Sequence, residues 1–170
     1  MSYSVTANYY LRNLYGSNKD YIIGSTRLQA SNASVVSADS KALAKGAKKM
    51  MSLDYGSYAT DDDIENAMLG NNIKAFIDTY NNTIDSASDS DLKDIKKLVS
   101  KMKTLGKEYE EELEELGITF DDDGYMTIDS SAVENLDNKK FESVFGEDSD
   151  FTKTVRSLAR KLYKHIDASI

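Results

Sequence analysis

Apolar residues recur along most of this chain at steps of three and four, the spacing that gathers them on one face of an α-helix. Leu43, Ala44, Ala47, Met50 and Met51 keep that spacing behind a Ser or Asp cap, and predict a helix from Ser37 to about Leu53. Asp54 to Thr60 breaks it. Thr60 with Asp61, Asp62 and Asp63 predicts the next start, because acids favour the positive end of a helix dipole. Ile64, Met68, Ile73, Phe76, Ile77, Tyr80 and Ile84 continue the stripe, with Gly70, Asn71 and Asn72 as a candidate interruption or bend.

The most regular pattern follows Ser88 to Asp91. Leu92, Ile95, Val99, Met102, Tyr109, Leu113 and Leu116 fall on alternating three and four spacings, and Gly106 takes the one small position. That is a heptad seam, the pattern of a helix lying along a near-parallel neighbour. With the Ile64 to Ile84 stripe just upstream, it predicts an antiparallel helical hairpin. Gly117 stands where a left-handed C-cap is expected. Asp123 and Gly124 between the β-prone runs Ile118 to Phe120 and Tyr125 to Ile128 predict a hairpin turn near 118–128. Short helical patterns then pass through Val133, Leu136, Phe141, Val144 and Phe145, and a last helix carries Phe151, Val155, Leu158, Leu162 and Ile166 on one face. The fold class is all-α: an antiparallel helical hairpin or bundle with one small β-hairpin.

Residues 1–36 break this regularity. They are rich in Ser, Asn, Gly and Tyr, with apolar knots at Tyr9, Tyr10, Leu11, Leu14 and Tyr15 and at Tyr21, Ile22 and Ile23. The segment reads equally as a mobile arm or an extended strap on the helices. Residues 37–170 are the helical domain, and 170 residues suffice for one domain with a substantial core.

Charge narrows the partners. A net charge of −8 repels phosphate backbones and anionic membranes, so neither nucleic acid nor membrane is an expected partner without a local basic patch. Lys45, Lys48 and Lys49 form one lysine cluster, and Lys93, Lys96, Lys97, Lys101 and Lys103 another. Both are read as solvated helix faces. No cysteine is present, so disulfides, thiolate nucleophiles and thiolate zinc sites are excluded. No stretch approaches the ~20 apolar residues of a membrane span.

Reactive groups do not assemble on paper. Aligning Gly124 with the glycine of an EF-hand puts Thr119 and Ser130 where carboxylates are needed, so Asp121 to Gly124 is a turn rather than a calcium loop. His165 is the only imidazole and reads as a helix-terminal residue beside the negative dipole end. Glu110, Glu111, Glu112, Glu114 and Glu115 flank the seam and are expected to face water rather than a cleft. No catalytic, metal or cofactor residue is assigned, and a non-enzymatic protein is expected.

Four motifs in order resemble a known family. Phe76, Ile77, Tyr80 and Asn81 make F-I-x-x-Y-N; Leu116, Gly117 and Ile118 end a long helix; Gly124 to Asp129 read G-Y-M-T-I-D; and Phe141 to Gly146 read F-E-S-V-F-G. This order resembles the C-terminal helical region of the bacterial flagellar filament-capping protein family, hook-associated protein 2, from about Asn71 to Ile166. The resemblance implies a helical bundle belonging to an exported cap that assembles at the filament tip, with flagellin-like helices or further copies of itself as partners. It implies an extracellular or flagellum-associated location; otherwise the chain is expected in the cytoplasm. The family's β-rich head and long terminal heptad helices have no counterpart here, so the chain resembles a minimal relative, and no binding residue transfers. The alternative is a small helical adaptor or export chaperone whose client helix docks along the Leu92 to Leu116 seam.

Overall fold

The computed structural model describes residues 5–22, 25–57 and 63–169. In chain order these form α1 (Val5–Tyr15), a 3-10 turn (Gly16–Tyr21), α2 (Ser25–Gln29), α3 (Asn32–Met51), α4 (Asp63–Ser88), α5 (Lys93–Glu108) and α6 (Glu110–Glu114). Then come β1 (Ile118–Phe120), β2 (Met126–Ile128), α7 (Ser130–Glu134), α8 (Asn138–Phe145) and α9 (Asp150–Asp167). The protein is all-α with one two-stranded antiparallel sheet.

α3, α4, α5 and α9 form the frame. α3 lies against α4 and α9, and α5 lies against the same two helices. Cross-helix pairs fix the directions. Asn32 reaches Ser86 while Gly46 meets Thr79, so α3 and α4 are antiparallel. A short link joins α4 to α5, and Tyr80 Oη donates to the Met102 carbonyl. Asp94 faces His165 while Tyr109 meets Phe151, so α5 and α9 also run oppositely. The N-terminal end of α3 meets the C-terminal end of α9 through Ser37 and Asp167. With Met68 of the α4 stripe left 42% exposed, the result is an up-down-up-down four-helix bundle whose apolar stripes face one another. The face of α9 shows this plainly, since Phe151, Val155, Leu158, Leu162 and Ile166 are all buried.

The seam keeps its burial but not its continuity. Ile95, Val99, Met102, Leu113 and Leu116 are buried, as is Gly106. Leu92 is the N-cap residue and is 41% exposed. Tyr109 is half-buried and separates α5 from α6 with φ −109° and ψ 16°. A single rod through Leu116 is therefore corrected to two helices. The bend lets Tyr109 set its ring 5.3 Å from that of Phe151 and turns the chain toward β1. The seam also faces α9 as well as α4, so the expected two-helix hairpin is one edge of a larger bundle.

Three further expectations change. α3 begins at Asn32, where the Ser31 side chain accepts from the Ser34 amide, five residues before the expected Ser37 boundary. The 1–36 segment, expected as an arm or extended strap, is helical over its described parts, and Leu11 and Tyr15 are buried. α4 runs unbroken through Gly70, Asn71 and Asn72. There α7 crosses so closely that a β-carbon on Gly70 would stand 2.6 Å from a Val133 methyl, while Asn72 returns its amide to the Met68 carbonyl. Packing outweighs local preference at that point. The cap expected at Thr60, Asp61 and Asp62 lies outside the described residues.

The hairpin has the expected bounds, with Ile118 opposite Ile128 and Phe120 opposite Met126. Gly124 sits at φ +84°, a conformation that disfavours any side chain. Asp121 organises the turn: its carboxylate accepts from the amides of Asp123 and Tyr125, and its carbonyl from Gly124. Gly117, at φ +74°, makes the left-handed exit after α6.

Candidate functional site: an interlocked core and a basic face

The motif residues meet in space around α4. Phe76 sets its ring edge-on to Phe145 at 5.4 Å, and Tyr80 does the same to Phe120 at 6.3 Å. One residue on, Asn81 accepts from the Met126 amide and donates to the Met126 carbonyl, both at 2.8 Å. Gly106 admits this arrangement, because a β-carbon there would stand 2.9 Å from the Phe120 ring. Burial pushes the Tyr80 phenol above its ordinary value, so it stays a hydrogen-bond donor. These groups position the hairpin and leave no reactive atom facing solvent.

On the opposite side of α4 is a polar cluster the sequence did not disclose. Asp39, with no exposed surface, accepts from both terminal nitrogens of Arg27 at 2.8 and 3.0 Å, from Tyr15 Oη at 2.6 Å and from Ser86 Oγ at 2.7 Å. Arg27 also donates to the Tyr21 carbonyl, and Asn82 donates to Tyr15 Oη. Burial raises the Asp39 carboxyl, against the pull of Arg27 and the two hydroxyls. At Arg27 partial burial works against the charge, but Asp39 outweighs it and the pKa rises. Burial, reinforced by Asp39, drives the Tyr15 phenol far up. Each carboxylate oxygen is taken by two donors, so the cluster fastens α1 and α2 to α3 and α4 rather than offering a free base.

The surface is sharply segregated by charge. α9 presents Lys153, Arg156, Arg160, Lys161 and Lys164 outward. Between α5 and α9 runs an open groove of about 510 Å³ lined by Lys97, Leu98, Lys101, Lys161, Lys164 and His165, with Asp94 at its edge. Between α3 and α9 lies a second groove of about 360 Å³, lined by Lys41, Lys45, Lys48, Arg156, Arg160 and Tyr163. Lys41 also pairs with Asp167 at 3.0 Å and holds that carboxyl below the ordinary range. Lys45 and Lys48 of one expected lysine cluster and Lys97 and Lys101 of the other thus border one basic ridge, while Lys103 stands at the hairpin. The signal lay in the α9 sequence, which between its terminal aspartates carries five Lys and Arg and no acid, but only the bundle order brings it beside α3 and α5.

The complementary charge sits at the end of the bundle where α5 stops and α9 begins. Residues 108–150 hold sixteen acidic and two basic residues. Glu110, Glu111, Glu112, Glu114 and Glu115 are all exposed, as expected, and so are Asp121, Asp122 and Asp123. His165 Nε2 stands 3.6 Å from Asp94, beyond hydrogen-bonding distance, with cationic side chains around it. Among the described residues no group of three His or carboxylate side chains could hold a metal ion, and no helix is long and apolar enough to cross a membrane.

No family model matches the chain, and neither a curated protein nor a solved structure matches it.

Proposed function

We propose that this chain is a non-enzymatic structural or interaction protein of the flagellar filament-cap kind, acting through helix packing and self-association outside the cell. The observation that carries the reading is the interlock on α4. Phe76, Tyr80 and Asn81, from one motif, each engage a residue of a different later segment: Phe145, Phe120 and Met126. Motifs matched only by their order in sequence are therefore parts of one packed unit, as a shared architecture requires. The buried carboxylate of Asp39 supports the non-enzymatic half of the reading, because its donors leave it nothing to do but hold helices together. A client helix docking along the Leu92 to Leu116 seam has no such support, since α4 and α9 already cover that seam.

The test is sedimentation over a wide concentration range, with a flagellin-like helical segment added in a second series. Self-association or binding of the segment is the expected result. A strict monomer in the first series, with no binding in the second, would overturn the proposal.

A further inference from the structure

The two charged regions of the surface are opposite in sign, and among the described residues no ion pair joins them. Among the described residues, the ion pair that uses the acidic stretch is Glu115 with Lys140, which lies inside the same stretch. Lys103 and Lys107 at the end of α5 stand beside Glu110, Asp121 and Asp122 and absorb part of that charge. The outward row of α9 is left facing solvent, with no ion pair among the described residues for Arg156, Arg160, Lys161 or Lys164. Like charges this dense repel one another and attract an anionic surface.

We infer that the basic ridge of α9, with its flanking grooves, docks the acidic end of a second copy of this chain. The inference rests on the self-association reading above and names the surfaces through which it occurs. Two observations favour a second copy over a polyanion. The chain as a whole is at −8, so a nucleic acid approaching the ridge also meets the repulsive acidic end. The grooves are not purely cationic, since Leu98, Ala168 and Tyr163 line them and give a folded surface apolar contact between the charges. The docking is between unlike patches, so one copy can engage a partner at its ridge and another at its acidic end.

The test uses the full chain and two charge-reversed variants at exposed positions: Arg160→Glu with Lys161→Glu on the ridge, and Glu111→Lys with Glu112→Lys on α6. Circular dichroism first shows that each variant keeps the wild-type melting curve. In light scattering at low ionic strength the wild type associates, and association is lost as salt rises. Each variant alone associates about tenfold more weakly or not at all, whereas a mixture of the two recovers a pair, because each supplies the patch the other lacks. Association that ignores salt and both reversals overturns this interface while leaving self-association standing. A wild type that stays monomeric and binds an oligonucleotide through the ridge overturns it in favour of a polyanion. A wild type that stays monomeric and binds neither overturns the interface outright.

Discussion

Arg27 and Asp39 form a lopsided pair, and the asymmetry can be measured. The Asp39 side chain has no exposure and Arg27 has 17%, so removing either partner leaves the other in a different predicament. In Arg27→Met the carboxylate remains sealed inside with only Tyr15 and Ser86 donating. Breaking a buried pair this way costs about 3–5 kcal/mol. Protonation sets a ceiling, because carrying a carboxyl from its ordinary ~3.9 up to neutral pH takes about 4 kcal/mol. The expected loss is therefore about 3–4 kcal/mol near neutral pH. An acid whose folded pKa is raised contributes stability that is complete below its unfolded pKa and lost as pH rises through the folded value. Removing Arg27 raises Asp39 further, so the deficit against wild type is largest near neutral pH and shrinks to about 1–2 kcal/mol near pH 5. In Asp39→Ala, by contrast, Arg27 can turn its head outward toward Asp85, 3.6 Å away, and the loss is smaller, about 1–3 kcal/mol, with the opposite pH trend: the raised wild-type carboxyl gives up stability as pH rises, so this deficit is larger near pH 5 than near neutral pH. Urea denaturation followed by far-ultraviolet circular dichroism at the two pH values measures both. A deficit for Arg27→Met below about 1 kcal/mol, or one that grows on acidification, would refute the reasoning.

Two further outcomes are expected. Burial raises the Asp78 carboxyl to about 6, with Lys74 partly offsetting it, so this group's contribution to stability falls as pH rises through that value. Asp78→Asn should match wild type near pH 4 and exceed it by about 2–3 kcal/mol near pH 8, and a difference that is flat with pH in urea melts would contradict the assignment. Gly106→Ala drives a methyl to 2.9 Å from the Phe120 ring and should cost about 1–3 kcal/mol in thermal melts despite the better helix propensity of alanine, while a stabilised variant would mean the hairpin does not rest on α5.

Local chemistry was legible in the sequence. The hairpin ends where the Asp and Gly signals put them, and the α9 stripe is buried at every named position, because turn geometry and helical periodicity need no distant partner. What escaped depends on distant partners. α1 hides in a Ser, Asn and Tyr-rich segment, because Tyr15 is buried by groups from α3 and α4 that lie far along the chain. Asp39 stands in a polar run ahead of the Leu43 stripe, and nothing local tells a buried aspartate from an exposed one. Gly70 looked like a break, yet it is the small residue that α7 requires. The basic ridge escaped because no pattern within α9 states which helices flank it.

The side chain of Asn81 does at Met126 what a neighbouring strand would do, taking both the amide and the carbonyl that β2 turns away from β1. A two-stranded ribbon ordinarily offers such a rim to any extended peptide that drifts by. Here that rim is closed at Met126 by a helix, so strand addition is blocked at that edge of β2.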